Sequence, residues 1–224
     1  MEFKVENGDG IDSWKEVTLV YSAALRQMET KMQILNDEFQ HVHQYNPIEH
    51  IKARIKTPES IVKKLKRYGQ ESTIDNMVKY INDIAGIRII CSFTSDIYRI
   101  ADMIRDQRDI KVIAVKDYIT YPKASGYKSY HMIVSIPVYL SDRTVDTKVE
   151  VQIRTVAMDF WASLEHKIYY KSDFEAPDYL QRELKACADV VDMLDAKMFS
   201  LNQAILEWNR RDDGKQEEKE MEHL

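Results

Sequence analysis

Cysteine is nearly absent: the 224-residue chain has two, Cys91 and Cys187, far apart and without a CxxC spacing. This excludes a disulfide framework and a thiol-based zinc or redox motif, and a reducing cytoplasm suits such a chain. An apolar run of about 18 or more residues is missing too, as is a signal-peptide pattern, so the sequence offers no membrane span. No internal repeat is visible. Positive charge is not in excess: 32 Lys and Arg stand against 37 Asp and Glu, a formal net charge of −5, which argues against generic nucleic-acid affinity through a basic exterior. His41 and His43 lie two apart in a helical pattern and do not share a face, so they make no metal pair.

The chain is 44% hydrophobic and 31% charged, a balance that suits one compact domain with helical extensions. Periodicity predicts helices over 13–42, 58–68, 73–81, 95–107, 156–170 and 178–208, and strands over 51–56, 87–92, 111–118, 129–137 and 148–154. That alternation implies α+β or α/β layering around one sheet of about five strands. Residues 1–10 and 209–224 are polar and are expected to fray.

The strand around Val149-Glu150-Val151-Gln152-Ile153-Arg154 alternates strictly. With a side-chain period of 2, the apolar residues point to one face while Glu150, Gln152 and Arg154 point to the other. A solvated sheet face carries the same alternation, so the neighbours have to decide. Upstream, Asp83-Ile84-Ala85-Gly86-Ile87-Arg88-Ile89-Ile90-Cys91 sets an acid and an arginine around a buried-strand pattern. Arg88 is costly there unless it meets an anion, either a protein carboxylate such as Asp83 or Glu150 or a phosphate. Asp83 and Glu150 are also the two acids best placed for a metal. Mg²⁺ usually takes one or two protein carboxylates and completes its shell with water and substrate phosphates.

Cations gather earlier, in His50 to Arg67. Lys52, Arg54 and Lys56 alternate with Ile51, Ala53 and Ile55, so a strand aims three positive side chains to one side. Thr57 then fits an N-cap, with Pro58 at the first helical position and Glu59 behind it. A basic strand feeding a helix N-terminus is suited to receive phosphate, although a merely solvated basic face gives the same pattern. The loop Ser125-Gly126-Tyr127-Lys128-Ser129-Tyr130-His131 adds a ring, a cation, a hydroxyl and an imidazole behind a glycine. Tyr127 has two readings, a platform for a nucleobase or a ring packed on its own domain.

Five blocks in this order resemble the synthetase domain of the RelA/SpoT proteins: Arg54-x-Lys56, Asp83 to Arg88, Gly126 to His131, Glu150 to Arg154, and Trp161-Ala-Ser-Leu-Glu165-His166. More narrowly, the chain resembles the small, single-domain alarmone synthetases, with the run Met158 to Tyr170 closer to the RelP type than to the RelQ type. The resemblance implies a nucleotidyltransferase-like mixed sheet with long N- and C-terminal helices. It divides the chain into an N-terminal helix (13–42), a catalytic core (46–172), a C-terminal helix (177–208) and a polar tail (209–224). It implies transfer of the β,γ-pyrophosphate of ATP to the 3′-hydroxyl of GDP or GTP, with Mg²⁺ as cofactor. By the same resemblance Arg54, Lys56, Ser60, Lys64 and Arg88 would serve ATP, and Tyr127, Lys128, Ser129, His131, Gln152, Arg154, Glu165 and His166 would serve GDP or GTP. Asp83 and Glu150 would bind the metal, with Glu150 also the candidate base for the 3′-hydroxyl. Asp159 stands where related synthetases often carry asparagine, which leaves its role open. A same-fold enzyme acting on tRNA 3′ ends and a non-catalytic nucleotide-binding module are the alternatives. The chain contains no His-Asp dipeptide of the hydrolase type, so degradation of the product is not expected.

Both terminal helices carry long apolar seams. In the last, Leu180, Leu184, Cys187, Val191, Leu194, Met198, Leu201 and Ile205 alternate steps of four and three. Trp14, Tyr21, Leu25, Met28, Met32, Leu35, Phe39 and Val42 give the first helix a comparable stripe. Packing on the protein's own sheet is one use for such stripes and assembly is the preferred one. Related small synthetases form homotetramers through such helices, which implies the same here.

Overall fold

A computed structural model describes residues 13–170 and 177–221; the first twelve residues, including the N-terminal stretch expected to fray, lie outside the described residues. Six helices and five strands are present among them, in the order α1 (Trp14–Val42), β1 (Ile48–Ile55), α2 (Pro58–Arg67), α3 (Ile74–Tyr80), β2 (Ala85–Cys91), α4 (Thr94–Arg105), β3 (Lys111–Asp117), β4 (Tyr130–Tyr139), β5 (Thr144–Thr155), α5 (Val156–Tyr170) and α6 (Asp178–Met221). Every predicted element exists with the predicted type. The largest boundary difference is at the C-terminus, where α6 runs to Met221 through the segment read as a fraying tail. That segment is rich in charged residues and has no proline, so a helix already under way continues through it despite Gly214.

The chain forms two compact units, one of Met1–Lys123 with Lys128–Val156 and the other of Ala124–Tyr127 with Ala157–Leu224. The first holds the whole sheet, in the order β1-β2-β5-β4-β3. β2 and β5 run parallel at its centre and the other neighbours are antiparallel. The mixed five-stranded sheet inferred from the sequence is therefore the one found.

The sheet has two unlike faces because its strands alternate. Ile87, Ile89, Val149, Val151, Ile153, Met132 and Val134 fill the apolar face and are buried. α1 packs along β1, β2, β4 and β5, and α4 along β2 and β5. Most of the α1 stripe is spent here: Tyr21, Leu25, Met28, Met32 and Phe39 are buried while Val42 at its end is exposed, and the helix is capped by Ser13, whose side chain accepts from the Glu16 amide. Assembly was the preferred use of this stripe, but the apolar sheet face leaves it no choice, since each such side chain removed from water contributes about 1.5–3 kcal/mol. The opposite face is polar. Register places Arg54, Gly86, Glu150 and Ile133 in one row across it, and Lys52, Arg88, Gln152, His131 and Lys116 in the next.

In the second unit, Trp161 of α5 is buried and donates its indole N–H to the Leu184 carbonyl of α6 at 3.2 Å. The α6 seam behaves unlike that of α1. Leu180, Leu194, Met198, Leu201 and Ile205 are exposed, Leu194 to 59%.

Candidate functional site

The basic strand and the helix after it form as the sequence implies. Thr57 caps α2 by accepting from the Ser60 amide, and Pro58 takes the first turn. Lys56, just past β1, donates its backbone N–H to the Ile84 carbonyl at 2.8 Å, which brings the end of β1 beside the segment leading into β2. That segment carries Asp83. Its two carboxylate oxygens are each met by an ammonium, Lys56 Nζ at 2.8 Å and Lys64 Nζ at 2.8 Å, and the Asp83 side chain is 14% exposed. Burial works against its charge, but the two lysines outweigh that cost and hold the carboxyl below the usual carboxylate range.

Glu150 stands on β5. Burial again opposes ionisation, and the His131 ring and the Gln152 amide, with Asp83 acting the other way, bring its carboxyl below the ordinary value. His131 Nδ1 lies 3.5 Å from Oε1, and Gln152 Nε2 donates to Oε2 at 2.8 Å. The chain of contacts continues along the strand: Arg154 Nη2 donates to Gln152 Oε1 at 3.0 Å, and Arg154 Nε to Ser129 Oγ at 3.2 Å. Tyr118 sets its ring edge-on to His131.

Asp83 and Glu150 line one cleft of about 180 Å³, together with Lys52, Ala53, Arg54, Gly86, Ile87, Arg88 and Gln152. Two acids, one from the segment leading into β2 and one from β5, and three cations thus face one space on the polar side of the sheet. Lys56 and Lys64 meet the same space through Asp83. Ser60 bonds Thr57 at the α2 cap instead.

The expected acceptor residues divide. His131 and Gln152 reach Glu150, whereas Ser129 and Arg154 are 0% and 4% exposed and bond each other. Lys128 follows them on the sheet side and is half-buried. Tyr127, Glu165 and His166 belong to the second unit. Tyr127 is 8% exposed, so its ring is covered rather than presented to solvent. Gly126 has φ +87° and a Cβ there would lie 2.5 Å from Ala188 Cβ, so Gly126 itself lies against α6 where no side chain fits. Asp159 is half-buried on α5 and His166 exposed.

Four cleft residues were absent from the expected site: Lys52, Ala53, Gly86 and Ile87. Lys52 was visible as one of three alternating cations. Gly86 was visible only as part of the Asp83–Arg88 block. It sits between Arg54 and Glu150, and a Cβ there would approach only the Glu150 and Arg54 carbonyl oxygens, at 3.9 and 4.0 Å. The backbone thus tolerates a side chain, which would occupy part of the cleft that Gly86 lines. Gly86→Val should fold with stability within about 1 kcal/mol of wild type and lose roughly tenfold or more in turnover. Thermal melting alongside steady-state rates checks both halves.

The donor set suits a cation shared with a substrate. No group of three or more His, Cys, Asp or Glu side chains able to hold a metal occurs among the described residues, so an all-protein cage is not built here. A pair of carboxylates facing one cleft beside Lys52, Arg54 and Arg88 fits Mg²⁺, which keeps several ligands for water and phosphate.

Fold and cleft together define a class, and comparison with known proteins agrees: a family model described as the region found in RelA / SpoT proteins matches residues 53–175, and the chain belongs to that family. Within it, the chain is similar to the small alarmone synthetases. It is 48% identical to the GTP pyrophosphokinase YwaC of Bacillus subtilis (strain 168), over 87% of this chain and 93% of that one. The crystal structure of small alarmone synthetase 2 from Bacillus subtilis superposes with a TM-score of 0.77 at 47% identity, covering 85% and 98% of the two chains. That of small alarmone synthetase 1 from the same organism, bound to its product pppGpp, gives 0.80 at 30% identity, covering 86% and 97%. No helix among the described residues is long and apolar enough to cross a membrane.

Proposed function

We propose that this chain is a (p)ppGpp synthetase that moves the β,γ-pyrophosphoryl group of ATP to the 3′-oxygen of GDP or GTP. The 3′-oxygen attacks the β-phosphorus, the bond from that phosphorus to the α,β-bridging oxygen breaks, and AMP leaves. The observation that carries this reading is the single cleft shared by Asp83, Glu150, Arg54, Lys52 and Arg88. Such a transfer asks the protein for positioning and charge stabilisation more than for covalent chemistry.

Arg54 and Arg88 would bind the ATP phosphates, joined by Lys56 and Lys64 as these exchange Asp83 for phosphate. Glu150, fixed by His131 and Gln152 and ionised above its lowered pKa, would accept the proton of the 3′-hydroxyl. Asp83 and Glu150 would hold Mg²⁺, which when bound neutralises charge on the transferring phosphates. The acceptor contacts of Tyr127, Lys128, Glu165 and His166 rest on the family pattern, with Tyr127 stacking on guanine after its ring is uncovered. A cytoplasmic setting follows from the same reading. Incubation with ATP, Mg²⁺ and GDP should give ppGpp and AMP in equal amounts, and production of neither would refute the assignment.

We further propose assembly into a homotetramer through α6. At about 1.5 Å per residue its 44 residues reach about 66 Å, and its heptad seam lies exposed. Leu194→Glu should lower the mass seen by light scattering. An unchanged mass would remove α6 from the interface.

A further inference from the structure

We infer that Arg154 is a positioning residue that fixes the Glu150 carboxylate through the Gln152 amide, and is not a ligand of the acceptor phosphates. The inference rests on the transfer reaction proposed for this cleft.

The geometry begins with strand period. Glu150, Gln152 and Arg154 follow one another at i, i+2 and i+4 on β5, so their side chains stand in a file on the polar face. Arg54, which does line the cleft, is exposed, as suits a phosphate ligand. Arg154 is 4% exposed and does not line it. Its Nε is taken by Ser129 Oγ at 3.2 Å, and Ser129, itself 0% exposed, passes its own hydroxyl hydrogen to the Ile153 carbonyl at 3.4 Å. Its Nη2 is taken by Gln152 Oε1 at 3.0 Å.

The direction of the relay is dictated by chemistry. A guanidinium only donates and an ionised carboxylate only accepts, so an amide between them has one workable orientation. Its oxygen must face Arg154 and its NH₂ must face Glu150. The reversed amide sets donor against donor at one end and acceptor against acceptor at the other. Both observed contacts agree with the workable orientation, Nη2 to Oε1 at 3.0 Å and Nε2 to Oε2 at 2.8 Å. With His131 Nδ1 3.5 Å from the remaining oxygen, the carboxylate is steered at both ends. Removing Arg154 frees the amide to turn, and Glu150 then loses a donor that kept it aimed at the cleft. That is a loss of alignment at the reacting proton, with substrate contacts untouched.

The test is steady-state kinetics with ATP, GDP and Mg²⁺ on wild type, R154M, R154K, Q152L and the Q152L/R154M double variant, with thermal melts for each. Misalignment of this kind costs roughly 10- to 100-fold in kcat. R154M should show that loss with KM for GDP and ATP within about threefold of wild type, and R154K should recover part of it, since an ammonium also only donates to Oε1. Q152L should lose as much as R154M. The double variant should be no slower than Q152L, because the relay is already cut. A tenfold rise in KM for GDP with kcat retained in R154M, or losses that multiply in the double variant, would overturn the inference. Should R154M fail to fold, Q152E decides: it keeps a partner for Arg154 but turns an acceptor on Glu150, so kcat falls at constant KM if the relay acts, and wild-type kcat there overturns it. Wild-type protein that makes no ppGpp would instead defeat the proposed reaction itself, and this inference with it, before any variant is compared.

Discussion

Glu150→Gln will leave a folded protein whose kcat is lower by roughly 10²- to 10⁴-fold, the range that a positioned general base contributes. The substitution is nearly isosteric, so the hydrogen bond from Gln152 still finds an acceptor and the β5 register is undisturbed. What disappears is the negative charge and the ability to take a proton. The KM values for ATP and GDP should move little, since Arg54, Lys52 and Arg88 still face the cleft. A variant within threefold of wild-type kcat would remove Glu150 from the chemistry.

Asp83→Asn is expected to lower turnover by roughly 10²- to 10³-fold, comparable with removing one charge-stabilising group from a preorganised site. It also has a second signature that Glu150→Gln lacks. Lys56 and Lys64 each spend their ammonium on an Asp83 oxygen at 2.8 Å. Without that carboxylate the two cations face each other and the cleft uncompensated. Stability should fall by about 1–2 kcal/mol, less than the 3–5 for a fully buried pair because these groups keep some solvent contact. Affinity for ATP in the presence of a chelator should rise, because phosphate no longer competes with Asp83 for the lysines. Calorimetry with metal-free ATP checks this, and weaker binding by Asp83→Asn would show that these lysines do not serve phosphate. The pH dependence of folding adds a control. The folded pKa of Asp83 is lowered, so its contribution to stability is present above the unfolded value of about 3.9 and is lost as pH falls through the folded value. Asp83→Asn should erase that part of the acid limb and leave the pH dependence above it as in wild type.

Much of this molecule was legible before any coordinates. Thr57-Pro58 marks the start of α2 because only the backbone donors of a first turn need that cap, and the structure begins the helix there. Glu150, Gln152 and Arg154 share a face because a strand has period 2, whatever its surroundings. The apolar stripes of α1 and α6 were equally legible, yet they have different fates: α1 lies on the sheet and α6 keeps its seam exposed. Periodicity reports that a face must be covered and is silent on what covers it.

The same distinction runs through the cleft. A local pattern of spacing and residue type, set by backbone geometry and short-range propensity, was enough for the elements, the two acids, the cations and the family. Tertiary structure alone decided that Lys56 and Lys64 close on Asp83, that Gly86 leaves the floor open between Arg54 and Glu150, and that Arg154 turns inward to Ser129 and Gln152. Most of those pairings join residues 19 to 64 positions apart in the chain, and their strength depends on burial and dielectric. Chain order specifies which groups exist, while packing specifies which of them meet away from water.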